Sequence, residues 1–141
     1  MKLRAEGLSL SYRGHPVVHD VSLAVESGEF AVIVGPNAGG KSTLVRGLAG
    51  VMKPDRGHVY LGDERIDALP PREVARRLAI LPQMQAMDLD FVVEELVWRG
   101  RTPHQRMLRP ATAEDVAAVE AAILATNLDG LRGRLLRGLS G

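Results

Sequence analysis

What this sequence lacks narrows its roles before any motif is read. It contains no cysteine, which excludes a disulfide framework and thiolate metal sites and fits a reducing cytosol. It has no excess of either charge: 18 basic residues stand against 17 acidic ones, for a formal net charge of +1. Such a balance leaves no electrostatic footprint for a polyanion, so no nucleic-acid partner is expected. No apolar run approaches the roughly 18 residues that a membrane span requires. Met1 to Leu10 mixes Lys2, Arg4 and Glu6 among short side chains and has no signal-peptide apolar region. Any membrane role is therefore expected to be peripheral. What remains, 141 residues with 45% hydrophobic and 25% charged side chains, fits one ordinary globular domain able to bury a core.

Hydropathy changes period along the chain. Leu8, Leu10 and Tyr12 alternate with small polar residues, as do Val21, Leu23 and Val25. Period-two alternation around Gly14-His15-Pro16 predicts antiparallel strands with one buried face. Phe30-Ala31-Val32-Ile33-Val34 is instead continuously apolar, the pattern of a parallel strand buried on both faces. Lys41 to Gly50 then carries Leu44, Val45 and Leu48 on one helical stripe. A turn at Pro54-Asp55-Arg56-Gly57, a strand from His58 to Leu61 and a short helix from Pro71 to Arg77 follow. Leu78-Ala79-Ile80-Leu81, closed by Pro82, is a second buried-strand candidate. From about Met84 the pattern is helical, over Val92 to Arg99 and again from a capping box at Thr112 and Asp115 to about Asn127. Val116, Val119 and Ile123 give that last helix its apolar stripe.

The strongest chemical signal is Gly35-Pro36-Asn37-Ala38-Gly39-Gly40-Lys41-Ser42, which satisfies G-x-x-x-x-G-K-[ST], with Thr43 behind it. A loop folded round a phosphate must turn backbone N–H groups inward, and this needs small residues with permissive dihedrals. The helix that follows turns its free N–H groups and positive dipole end toward the same phosphates. Lys41 can reach the β- and γ-phosphates as a point charge, and the Ser42 hydroxyl can ligate Mg²⁺. The motif lies after a buried-type strand and before a helical stripe, as this chemistry demands.

Around that loop the chain resembles the ATPase subunits of ABC transporters over essentially its whole length. The loop reads G-P-N-x-x-G-K-S-T, Ser11-Tyr12 stands upstream, and Leu78 to Pro82 leads into Gln83. The resemblance implies that Tyr12 stacks on adenine, that Val17 also lines the nucleotide, and that Gln83 contacts Mg²⁺ and the attacking water. Leu139-Ser140-Gly141 resembles the opening of the signature segment L-S-G-G-Q, which implies that Ser140 and Gly141 cap nucleotide held by a second subunit. The implied fold is α/β, a P-loop NTPase of ABC type: an antiparallel β subdomain, part of a parallel core sheet and an α-helical subdomain. Residues 1–83 are expected to form the core part and 84–141 the helical subdomain. Ala38 departs from the family, which usually has glycine there. A positive φ at that position would cost an alanine about 1 kcal/mol or more. Phe91 to Val97, followed by Gly100-Arg101-Thr102-Pro103-His104, resembles importer subunits for iron chelates, haem and cobalamin. Val92 replaces their usual capping Thr or Ser, leaving Asp90 as the expected cap.

Other candidates read as structural. His15 and His19 are four apart, but Pro16 lies between them in a strand-and-turn region, so no metal site is expected there. His104 reads as a loop residue near a subunit interface. Glu94 and Glu95 point apart on a helix start. Arg132, Arg134 and Arg137 read as a solvated basic face.

Within the family, hydrolysis needs four apolar residues ending in Asp-Glu, the Walker B strand, and no such run follows Gln83. The chain is therefore expected to stop before that strand and to contain no catalytic base. The reading is an ATP-binding subunit of a chelate importer, using ATP and Mg²⁺. It is expected to be peripheral on the cytoplasmic face of the membrane, with a transmembrane permease and a second ATPase subunit as partners. Two alternatives stand beside it: a nucleotide-binding interaction module without catalysis, and a non-transport ABC ATPase, against which the compact Tyr12-to-Gly141 spacing argues.

Overall fold

The computed structural model describes residues 1–81, 90–105 and 110–139. They fall into two compact units, Met1–Ile80 and Leu81–Gly141. The first holds β1 (Leu3–Tyr12), β2 (His15–Val25), α1 (Lys41–Leu48), β3 (Arg56–Leu61), β4 (Glu64–Arg65) and α2 (Pro71–Arg77). The second holds α3 (Val93–Arg99) and α4 (Ala113–Ala125), followed by short 3-10 turns at Asp129–Leu131 and Leu136–Gly138.

The four strands make one antiparallel sheet in the order β2-β1-β3-β4. Tyr12 pairs with His15 across a two-residue turn in which Arg13 and Gly14 both have positive φ, 52° and 81°. That is the arrangement of a type I′ hairpin turn, whose twist matches the strands. Pro16 is tolerated because β2 lies at an edge, where its missing N–H interrupts no ladder. Irregular register between β1 and β2 has local causes. Gly7 and Asp20 adopt positive φ, and two hydroxyls replace the lost ladder bonds. The Gly7 N–H donates to Ser22 Oγ at 2.9 Å, and the Asp20 N–H to Ser9 Oγ at 3.0 Å.

One face of the sheet is covered by α1. Ala5, Leu8, Leu10, Val18, Val59 and Leu61 pack with Leu44 and Leu48 of the helix and with Ile66. Gly47 allows that approach, since a Cβ there would lie 2.5 Å from Leu10 Cδ1. Leu8 and Leu10 bear out the alternation, but Tyr12 stays 40% exposed because it has already entered the hairpin end.

The expected parallel core strands are not present among the described residues. Residues 30–34 run as unpaired chain, with Phe30 90%, Val32 66% and Val34 87% exposed, and residues 78–81 likewise join no ladder. A parallel strand takes every backbone bond from lateral neighbours, and no described strand pairs with either segment. The apolar run marks a strand's composition without supplying its partners.

In the second unit, Thr112 caps α4 as the capping box predicts. Thr112 Oγ1 accepts the Asp115 N–H at 3.2 Å, and Asp115 Oδ2 accepts the Thr112 N–H at 3.0 Å. Asp115 is buried and also accepts Arg101 Nε at 2.9 Å. Val119 and Ile123 are buried, whereas Val116 is 46% exposed, so the buried stripe runs through Asp115 instead. Asp90 does not cap α3. It pairs with Arg137 at 2.8 Å, and Glu95 closes the first turn by accepting the Val92 N–H at 3.0 Å. Nor is the arginine cluster free in solvent. Arg132 Nη1 and Nη2 donate to Glu120 at 2.7 and 2.6 Å, and its Nε donates to Asp129 at 2.9 Å.

Two outcomes follow. The Thr112 N–H and hydroxyl, with the Arg101 guanidinium, hold the Asp115 carboxyl below its ordinary value. A depressed carboxyl stabilises the fold above its unfolded pKa, near 3.9, and loses that contribution as pH falls through the folded value. Acid titration of helical ellipticity should therefore show a loss below about pH 4 that Asp115→Asn diminishes, leaving lower stability at neutral pH. The bare apolar run 30–34 should also drive association between chains, and Val32→Lys should shift light scattering at equal concentration toward monomer.

Candidate functional site

The loop from Gly35 to Gly40 connects the unpaired run to α1. Its first half is a tight turn, with the Gly39 N–H donating to the Pro36 carbonyl at 3.1 Å and Ala38 at φ 63°. Positive φ at the third residue is the type II geometry, in which glycine or asparagine is usual. Alanine stands in the strained place, and the neighbouring glycine is required for a different reason. A Cβ on Gly39 would lie 2.9 Å from the Pro36 carbonyl oxygen. Gly40, at φ 80°, is the N-cap of α1. A Cβ there would meet Val17 Cγ1 at 2.9 Å and the Val17 carbonyl at 3.1 Å, so glycine is needed for both dihedral and space.

This seating leaves the start of α1 open. No side chain caps it and no acidic residue occupies its first turn. The first N–H groups of a helix have no intrahelical acceptor, and here they carry the positive dipole end with no competing carboxylate. Lys41 Nζ donates to the Gly35 carbonyl at 2.8 Å and to the Pro36 carbonyl at 2.5 Å. The ammonium thus ties the beginning of the loop to the beginning of the helix. An ammonium has three donors, so one remains for an anion. Ser42 is exposed on the first turn and Thr43 is half-buried. Glycine-lined backbone, a helix N-terminus, a cation and a free hydroxyl form a cradle that suits a polyphosphate and its divalent metal.

Of the residues singled out from sequence, Gly35 through Thr43 are continuous in this cradle, and Val17 is brought against it at Gly40. Tyr12 lies at the end of β1, with the Arg13 guanidinium 5.5 Å from its ring centroid. Gln83, Ser140 and Gly141 lie outside the described residues. His15 and His19 lie on β2, where four residues of extended chain span roughly 13 Å, too far for one metal ion. The Gly40–Val17 approach and the lysine's two carbonyl partners were not anticipated. The resemblance pointed to Val17 as a nucleotide-lining residue, but nothing in the sequence said that it would touch Gly40.

A glycine loop pinned by its own lysine at an open helix start defines a P-loop nucleotide-binding protein. The chain belongs to the ABC transporter family, whose model matches residues 18–141. It is 42% identical over 139 residues to a probable siderophore transport system ATP-binding protein of Bacillus subtilis (strain 168), covering 99% of this chain and 50% of that protein. It is 41% identical over 140 residues to the ferric enterobactin transport ATP-binding protein of Escherichia coli (strain K12), covering 99% and 52%. A solved ATP-binding subunit of an ABC transporter superposes with a TM-score of 0.78 at 24% identity, covering 99% of this chain and 56% of that one. That likeness supports the fold alone. The chain spans about half the length of these curated relatives.

Ala38 is strained in the loop before any ligand arrives, so its effect should be read in stability. Ala38→Gly should raise the unfolding free energy by about 1 kcal/mol. Gly39→Ala should lower it by about 1–3 kcal/mol through the contact with Pro36. Denaturant titration of the two variants checks both signs.

Proposed function

We propose that this chain is the nucleotide-binding part of an ATPase subunit that powers import of a metal chelate, of the iron-siderophore, haem or cobalamin kind. The observation carrying this reading is the cradle at Gly35–Ser42, where Lys41 bridges the Gly35 and Pro36 carbonyls over an uncapped helix start. In it, MgATP would be held by open backbone N–H groups of the loop and of the first turn of α1, and by the remaining Lys41 donor. Ser42 and Gln83 are the residues assigned to Mg²⁺. Tyr12 and Val17 are assigned to the nucleoside end. A metal held there would supply positive charge against the phosphates.

The cargo class rests on the relatives named for siderophore and ferric enterobactin transport, and on the Gly100-Arg101-Thr102-Pro103-His104 segment. The chain's place is at the cytoplasmic face of the membrane, against a transmembrane permease. Among the described residues, no helix is long and apolar enough to cross it. A second ATPase subunit supplies the other side of the nucleotide sandwich, with Ser140 and Gly141 facing its phosphates. No carboxylate in residues 1–141 is assigned as catalytic base, so the reading gives this chain nucleotide binding without turnover.

Titration with a fluorescent ATP analogue in Mg²⁺ tests it. A charge-assisted hydrogen bond is worth about 1.5–3 kcal/mol, so Lys41→Ala should weaken binding on the order of 10- to 100-fold. Unchanged affinity in that variant overturns the reading. Steady-state phosphate release by the purified 141-residue chain would overturn the assignment of binding without turnover.

A further inference from the structure

The tip of the β1–β2 hairpin holds an arginine where its turn least favours one. Arg13 takes the first central position, at φ 52°, and Gly14 the second. Both central residues of such a turn need positive φ, which glycine, asparagine and aspartate adopt readily and a longer side chain only at a cost. Backbone strain of this kind gathers where a side chain has a task. Packing does not account for it. Residues 12–16 are all exposed, and nothing lies within 4 Å of where a Cβ on Gly14 would stand.

The Arg13 guanidinium lies 5.5 Å from the Tyr12 ring centroid, within cation–π reach. Among the described residues no carboxylate pairs with it, whereas Lys2, Arg4, Arg65 and Arg77 of the same unit each hold one. The hairpin tip is also a neighbour of the phosphate cradle. Tyr12 pairs with His15 and Ser11 with Pro16, and the next residue, Val17, lies against Gly40 at the start of α1. Two residues of extended chain, roughly 7 Å, separate His15 from Val17. A ring 40% exposed at such a tip is not fixed by burial. A planar cation stacked on one face restricts it and leaves the other face to a second flat partner.

We propose that Arg13 is a positioning residue for the nucleotide base: stacked on one face of Tyr12, it presents the opposite face to a purine. The inference rests on the reading of Tyr12 as a residue of the nucleoside end, and deepens it. Guanidinium, tyrosine ring and base form three layers. With the ring restricted in advance, stacking a base on it costs less ordering. Arg13 touches neither base nor phosphate, and its effect passes through the ring.

Calorimetric titration of the 141-residue chain with two magnesium-loaded ligands, ATP and inorganic tripolyphosphate, separates the base from the phosphates. Arg13→Asn removes the guanidinium and keeps the turn, since asparagine suits the left-handed position. The ratio of ATP to tripolyphosphate affinity should fall about two- to fivefold, the value of one exposed cation–π contact. In a Tyr12→Ala background the same substitution should leave that ratio where Tyr12→Ala alone puts it, because a residue acting through the ring has nothing left to act on. An unaltered ratio in Arg13→Asn overturns the proposal. So does an equal fall in both backgrounds, which marks Arg13 as a direct contact. If Tyr12→Ala itself leaves the ratio unchanged, the ring does not stack on the base, and the proposal fails with that assignment. The cradle reading stands or falls on a different variant: Lys41→Ala should weaken both ligands together, whatever Arg13→Asn does.

Discussion

Everything the loop does depends on how closely α1 sits on the sheet. Two glycines set that distance, Gly47 against Leu10 and Gly40 against Val17. With a methyl group at either place the helix would have to lift or a core side chain would have to leave its rotamer. The sheet beneath is antiparallel, held by register and twist that Arg13-Gly14 and the Ser9 and Ser22 hydroxyls make possible. Function in the first unit is a consequence of packing: the core places the helix start, and the helix start supplies the donors. Lys41 then closes the loop on its own carbonyls. The cradle is thereby organised without any ligand.

The two units manage polar groups in opposite ways. In the first, backbone donors are left open at the start of α1, the condition for binding an anion. In the second, the start of each helix is closed. Thr112 and Asp115 cap α4 reciprocally, and the carbonyls of Arg132 and Arg134 cap α3. Arg132 gathers carboxylates from more than one element, while Arg101 pairs with Asp115 of α4. Arg101 is the more sheltered of the two, and its partner Asp115 is buried. A buried carboxylate is tolerable only when its oxygens are satisfied, and both of those of Asp115 are.

Composition and spacing carried much of this. The hairpin, the strand from His58 to Leu61, the described helices and the capping box of α4 were legible because each is decided by neighbours within a few residues, though Arg56 and Gly57, read as turn, belong to that strand. So was the turn-and-helix form of the loop, since glycine placement before a helix start is a local requirement. The errors share a cause as well. Phe30 to Val34 has the composition of a core strand, but a ladder needs partners that composition does not name. Asp90, Val116 and the arginine cluster were judged by their own element, while their roles come from Arg137, from the buried face through Asp115, and from Glu120.

By itself, then, the sequence determined the glycine-lysine-serine pattern of the loop, the type of most elements and the membership that the ABC transporter match reports. These follow from dihedral preference and hydropathy period, which act over a turn or two of chain. Only the tertiary structure decided that Ala38 bears positive φ, that Val17 lies against Gly40, and that α3 is capped from residues 132–134. Each is a contact between parts of the chain with no periodic relation to one another. It exists only once burial has brought those parts together.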